Sequence, residues 1–217
     1  MLSGDELMVA LLNADSTVDT WEVEKKVSLM TGRESWVVGR HMQLPLPEGW
    51  DGPRWVLVSN LGRDLFVAWE NGRIARFNVR DIAEPRVAEK ADIVPEDDRK
   101  LTALRFLIGD NTLIAGDSAG GIRGWFEAND EANPVDGRSL QLAHEFEPRG
   151  EVAVTTFASS PRSRTFLAGY EDGHASMFFM TSEKHLADIH IGNGEPVTNI
   201  VIAPKDDGLA ALAGDRL

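Results

Sequence analysis

The sequence predicts an all-β chain assembled from repeated four-stranded antiparallel sheets. Three observations predict it. A strand, turn, strand pattern recurs four times, its closing aromatic residues fall at a near-constant spacing, and a further short apolar strand precedes three of the copies. Self-similarity at periods of about 20 to 50 residues marks architectures in which one supersecondary unit is stacked on copies of itself.

The first copy is residues 7–12, a turn over 13–16 and a second run over 17–23. The second is 65–69, a turn over 70–72, and 73–79. The third is 113–116, a turn over 117–121, and 122–126; the fourth is 166–170, a turn over 171–173, and 174–179. Each turn is rich in Asn, Asp and Gly, residues that can supply positive φ in a tight hairpin. The aromatic anchors Trp21, Phe77, Trp125 and Phe178 are separated by 56, 48 and 53 residues.

Upstream of three hairpins lie short strands at 55–59, 102–106 and 152–157, and the pattern returns at 197–202. Each is followed by a turn, at 60–62, 109–111, 159–161 and 204–208. Fourth strands are less regular, but 141–146 and 186–191 alternate well enough to complete a unit of four. The segment from Glu34 to Trp55, with Pro45, Pro47 and Pro53, departs from the repeat.

These residues are similar to the WD-repeat β-propeller family: a strand ending Leu-x-Ala-Gly, an Asp-Gly turn, and a strand ending in Trp or Phe. The Gly-His start and Trp-Asp end of the full signature are absent, and Phe77-Asn78, Trp125-Phe126 and Phe178-Phe179 stand where Trp-Asp would be. The resemblance implies a partial or small β-propeller of four-stranded antiparallel blades. Residues 1–217 are then one propeller-like domain or fragment: 5–50 a partial blade and irregular connection, 51–98, 99–149 and 150–194 blades, and 195–217 the start of a further blade. The pattern opens just before an inner hairpin and stops within a unit, so an open arc is expected, or one that closes on its own strands or on a second copy. Exposed strand edges are templates for pairing, which makes a homodimer an expectation.

Composition narrows the function. With 35 acidic against 22 basic residues, the formal charge of -13 opposes a polyanion, so nucleic acid is not an expected partner. Zero Cys removes disulfides, thiolate metal sites and redox motifs. No run approaches the roughly 18 to 20 apolar residues of a membrane helix.

The sharper motifs read as turns or surface. Gly116-Asp117-Ser118-Ala119-Gly120-Gly121 looks like the Gly-Asp-Ser-Gly-Gly around the nucleophile of chymotrypsin-like proteases. Ala119 breaks that spacing, and the segment falls in register with three hairpin turns that carry no Ser-His partner. His185 and His190, the two neighbours among His41, His144, His174, His185 and His190, are five apart. Along a regular strand they face opposite sides, so they are not a ligand pair. Glu96-Asp97-Asp98 and Asp206-Asp207 lack calcium-loop spacing, and Gly192-Asn193-Gly194 lacks the third Gly and helix of a pyrophosphate cradle. No catalytic residue, cofactor or metal ligand is therefore assigned. Trp36, Trp50 and Trp55 are either core packing between blades or a docking surface.

A second resemblance bears on role. Glu34-Ser35-Trp36-Val37-Val38-Gly39-Arg40-His41-Met42-Gln43-Leu44-Pro45-Leu46-Pro47, with Leu212-Ala213-Gly214-Asp215-Arg216-Leu217, resembles the large soluble insert of proteobacterial phosphate-type ABC transporter permeases of the PstC kind. It implies a non-enzymatic, periplasmic domain tethered to an inner-membrane phosphate permease, docking transporter subunits or a binding protein, with pore and nucleotide sites outside this chain. A free-standing cytoplasmic WD-repeat-like scaffold is the alternative, and a propeller hydrolase or lyase a more distant one.

Overall fold

A computed structural model describes residues 6–59, 62–95, 98–191 and 194–214. Asn60 and Leu61 of the first expected loop turn, Glu96 and Asp97, Gly192 and Asn193, and residues 215–217 lie outside them. The described chain is an all-β meander whose strands pair with their sequence neighbours.

The first sheet has three strands, β1 (Glu6–Leu12), β2 (Val18–Val27) and β3 (Glu34–Gln43). Three four-stranded sheets follow. They comprise β4 (Trp55–Val58), β5 (Asp64–Ala68), β6 (Arg73–Asn78) and β7 (Arg86–Asp92), then β8 (Leu101–Phe106), β9 (Thr112–Asp117), β10 (Ile122–Asn129) and β11 (Arg138–Phe146). The third is β12 (Val154–Ser159), β13 (Thr165–Tyr170), β14 (His174–Phe179) and β15 (Lys184–His190), and the last sheet is the pair β16 (Val197–Ile202) and β17 (Leu209–Ala213).

The hairpin turns bend as their residues require. Ser16, Gly72, Gly120 and Gly173 take φ of +69°, +84°, +82° and +82° at matching places in the four hairpins. An Asn or Asp side chain caps each bend by accepting the backbone N–H two residues on: Asp15 from Thr17, Asn71 from Arg73, Asp117 from Ala119 and Asp172 from His174.

Residues 34–43, expected to leave the repeat, instead form β3, paired antiparallel with β2. The expectation failed because β3 is exposed along almost its whole length, so neither face imposes an apolar period of two.

The chain divides into two compact units. Unit 1 comprises Met1–Trp69, Ile74–Ala91 and Glu131–Gly137. Its core joins Val18 and Leu44 to Leu65, Val67, Trp69, Ala75, Phe77 and Val79, with Met8, Ala10 and Leu12 of β1 packed against them. Residues 131–137, from the β10–β11 connection, are held by Arg76, which is fully buried and pairs with Asp64 at 3.0 Å and with both carboxylate oxygens of Asp136. Glu89 adds a third carboxylate at 3.3 Å, and Asn133 donates to the Ala88 carbonyl.

Unit 2 comprises Glu70–Arg73, Asp92–Asp130 and Arg138–Leu217. Phe146, Phe157, Phe166 and Phe178 interlock edge-to-face and stacked at 5.3 to 6.1 Å between the β8–β11 and β12–β15 sheets. The opposite face of β12–β15, with Ala158, Leu167 and Ala175, packs on Val197 and Ile200 of β16. A recurrent bulge opens the first strand of each sheet in this unit. The shift falls at Thr102, Thr155 and Thr198, whose hydroxyls donate to the carbonyls of Gly116, Val197 and Leu212. The Thr102 and Thr198 bonds stay within their own sheets and the Thr155 bond reaches β16, but the bulge itself falls at the same place in all three and identifies these sheets as copies of a single unit.

Candidate interaction surface

The first sheet has two unlike faces. Antiparallel partners project to the same side, so the register Leu7↔Val23, Val9↔Trp21 and Leu11↔Asp19 places β1 and β2 residues together. The pairings Val23↔Val38, Trp21↔His41 and Lys25↔Trp36 extend that face across β3. The opposite face, with Met8, Ala10, Leu12 and Val18, enters the unit 1 core. The first face is displayed: Leu7 is 51%, Val9 47%, Leu11 50%, Trp36 51% and Val38 65% exposed.

Polar groups frame this apolar face. The Trp21 ring stacks on His41 at 4.9 Å and 23°. His41 Nε2 lies 2.9 Å from Asp19, whose other carboxylate oxygen accepts from Asn13. Lys25 pairs with Glu34 at 2.7 Å. At the tip of the β2–β3 hairpin Leu29 and Met30 are fully exposed. A side cleft of about 460 Å³ adjoins Leu7 and carries Glu22 and Arg40 from this sheet with Arg80, Asp81 and Ile82 from the loop after β6. Contiguous exposed apolar area with a polar rim makes this face the candidate interaction surface of the described residues, because leaving it in water costs about 25 cal/mol per Å².

The three tryptophans singled out by sequence separate cleanly. Trp50 packs edge-to-face on Trp69 at 5.0 Å and its carbonyl accepts the Trp69 Nε1–H, so it belongs to the core. Trp55 starts β4 and is half-buried. Trp36 alone is displayed.

A second polar cluster gathers near the β13–β14 turn. His174 Nε2 and His190 Nδ1 lie 3.0 Å apart, Arg149 pairs with Asp172 at 2.8 Å, and the Arg149 guanidinium sits 5.7 Å over the Tyr170 ring. Tyr170 is fully buried and its Oη has no hydrogen-bond partner of ordinary geometry among the described residues. Burial pushes this phenol up to about 12, opposed in part by the Ser176 hydroxyl and by Arg149. Asp188 is held below the usual carboxylate range, first by the Ser176 hydroxyl and then by His185. Burial raises Asp172, but the His174 backbone N–H, Arg149 and the His174 ring outweigh it and keep it low.

The expectation that His185 and His190 face opposite sides is overturned. The β14–β15 register slips between Met177 and Phe178, so Phe178 pairs with His185 while Ser176 pairs with Asp188 and His174 with His190. The bulge absorbs Leu186 and turns His185 onto the face of Asp188, to which its Nε2 is 3.0 Å. His144 faces Glu183 at 3.0 Å. Among the described residues no group of three or more His, Asp or Glu is placed to hold a metal ion.

The remaining motifs fall as follows. Ser118 Oγ accepts the Lys100 backbone N–H, while Asp117 accepts the Ala119 and Gly121 amides and pairs with Arg123 at 2.8 Å. The residues of a protease-like signature thus bind their own turn and, through Ser118, the backbone of Lys100 just before β8. Asp206, in the β16–β17 turn with φ of +59°, accepts the Ser160 hydroxyl at 2.7 Å.

These sheets, bulges and turns define a WD-repeat-like β-propeller fold. Among solved structures the chain is similar to the β-propeller domain of Cps50 (Swd1) from Myceliophteria thermophila, with a TM-score of 0.65 and 16% identity. The likeness covers 94% of this chain and 65% of that one, so the chain spans about two thirds of the length of the domain it matches. No protein-family profile matches the sequence, and no curated protein matches it.

Proposed function

We propose that this chain is a non-catalytic protein-docking module, set in the periplasm as the soluble domain of a phosphate ABC transporter permease. The observation that carries the docking role is the displayed face of β1–β3, where Leu7, Val9, Leu11, Trp36 and Val38 are each about half exposed or more. Side chains of this kind stabilise a partner complex by leaving water, and Trp is the residue most enriched among energetic anchors. The permease assignment is supported by the resemblance of residues 34–47, and ten of those fourteen residues form β3, with Trp36, Val38 and His41 on the displayed face. Among the described residues no helix is long and apolar enough to cross a membrane.

Proximity labelling from the chain expressed in its native gene tests both parts. A periplasmic peroxidase fusion is expected to label permease subunits or the phosphate-binding protein, and Trp36→Glu with Val38→Glu is expected to remove that labelling at unchanged expression. Labelling confined to cytoplasmic proteins would replace the permease reading with the scaffold one; labelling indifferent to the two substitutions would remove the surface from consideration.

A further inference from the structure

His174 and His190 face one another across β14 and β15 as direct register partners. One position along, the Ile191 N–H donates to the Gly173 carbonyl, so the histidines form a pair without ladder hydrogen bonds of its own, the kind whose side chains stand closer. His174 Nε2 and His190 Nδ1 are 3.0 Å apart, with ring centres at 4.5 Å and ring planes inclined at 64°. Two imidazoles joined by a straight N–H···N bond of that length would hold their centres about 5.3 Å apart. These rings are instead folded toward each other.

We propose that His174 and His190 chelate one divalent metal ion of tetragonal preference, Cu(II) ahead of Ni(II), with water at the remaining positions. Imidazole nitrogens bind such first-row ions at about 2.0–2.1 Å, the length known for zinc. From neighbouring corners of a square, about 90° apart, that bond length puts the two nitrogens about 3.0 Å and the two ring centres about 4.6 Å apart. The pair at 3.0 and 4.5 Å satisfies both conditions. A tetrahedral ion requires about 3.4 Å between nitrogens, so Zn(II) fits less well. The ordinary order of affinities likewise places Cu(II) first.

The surroundings of His174 suit a ligand. Its Nδ1 lies 3.2 Å from Asp172 Oδ2, off the direction of an ordinary hydrogen bond, and is buried with no other partner among the described residues. A carboxylate at that nitrogen favours the tautomer protonated on Nδ1, which leaves the Nε2 lone pair free for a metal. Arg149 holds the carboxylate in place with bonds of 3.1 and 2.8 Å to its two oxygens. His190 is exposed, so the outer corners of the ion open to water. Asp188 shares this face, but its Oδ1 is engaged by Ser176 at 2.6 Å and by His185 at 3.0 Å. Among the described residues no third His, Asp or Glu joins the pair, which makes this an open site of two protein ligands. The net charge of -13 favours the approach of a cation.

Copper titration of the full chain, carrying no affinity tag and followed by calorimetry and electron paramagnetic resonance, provides the test. One Cu(II) per chain is expected to saturate below about 100 μM, with a tetragonal spectrum split by two nitrogens. Zn(II) is expected to bind at least about tenfold more weakly. His190→Ala alters an exposed side chain and is expected to stay folded by circular dichroism and to lose the site, whereas His41→Ala and His144→Ala are expected to keep it. Asp172→Asn is expected to weaken Cu(II) by about 10- to 100-fold with both nitrogens retained, as befits a positioning residue; an unchanged affinity would remove Asp172 from that role. The chelate itself would be overturned by the lack of saturable Cu(II) binding, by binding indifferent to His190→Ala, by Zn(II) bound as tightly as Cu(II), or by a spectrum with fewer than two nitrogens.

Discussion

Substituting Gly116 with Ala tests how closely consecutive sheets approach. A Cβ on Gly116 would lie 2.7 and 2.8 Å from Cγ1 and Cβ of Val154 and 2.9 Å from Cζ of Phe157. Gly169 repeats the arrangement one sheet later, with Val197 Cγ1 and Thr156 Cγ2 both at 2.8 Å. This is the physical content of the Leu-x-Ala-Gly strand: the missing side chain admits the first strand of the following sheet. Val154 is fully buried and Phe157 3% exposed, so neither can swing aside. Overpacking of this sort costs about 1–3 kcal/mol, and the rigid neighbours place Gly116→Ala near the upper end. Replacing Gly also restricts the unfolded chain, which returns about 0.4–1 kcal/mol. The net expectation is a loss of about 2 kcal/mol, a fall in Tm of about 4–8 °C for a chain of this size. Gly208→Ala is the control. Its Cβ would meet nothing within 4 Å, so only the unfolded-state gain remains and a small stabilisation is expected. Urea denaturation followed by tryptophan fluorescence reads both; a Gly116→Ala chain as stable as Gly208→Ala would refute the close approach.

Arg76→Met should lower stability by about 3–5 kcal/mol in the same assay, because Asp64 and Asp136 lose the charge that compensates them in the core; Arg76→Lys should recover only part, since an ammonium cannot make the paired contact with Asp136. Tyr170 is the sole tyrosine, so tyrosinate absorbance follows it alone. Its phenol, raised from 10.0 to about 12, adds stability that is complete below pH 10 and is lost as pH rises toward 12, a change of roughly 2–3 kcal/mol; an ordinary titration near pH 10 in the folded chain would contradict its burial. Asp172 and Asp188, both lowered, contribute stability present above the usual Asp range and lost as pH falls below it, so Asp172→Asn and Asp188→Asn should flatten the acid limb of a stability–pH profile. Ser118→Ala should leave esterase and protease assays at background while lowering stability by about 1 kcal/mol, through loss of the acceptor for the Lys100 amide.

What was legible in the sequence is what local chemistry encodes. The hairpin bends follow from Asn, Asp and Gly at fixed places, and β5 and β13 are legible because burial on both faces leaves continuous apolar runs. The features that escaped have no local period. Strand β3 buries neither face. The bulges at Thr102, Thr155 and Thr198 insert one residue into each strand and so hide three equivalent threonines from any search by alternation. The slip that brings His185 beside Asp188 has the same cause. Arg76 and Asp136 are 60 residues apart, and nothing near either one announces the pair. The displayed face of β1–β3 lies between these cases: Trp36 is a candidate in the sequence, while Leu7, Val9 and Leu11 are legible there only as the apolar first strand of a hairpin.

That last reading was correct about the residues and incomplete about their neighbours. Val9 and Leu11 have the chemistry of an interior sheet because they occupy the positions that Phe166 and Ala168 fill in one. Burial at such a position is decided by whether a sheet stands in front of it, and no residue within the strand specifies that. A repeat unit therefore carries its binding chemistry as a by-product of its folding chemistry: the apolar strip that closes the contact between successive sheets becomes a partner site wherever the next sheet is supplied from elsewhere. Conversion of an interior position such as Ala168 to Glu should accordingly unfold the chain, whereas Val9→Glu should leave it folded and change only what it binds, and that contrast separates the two uses of one pattern.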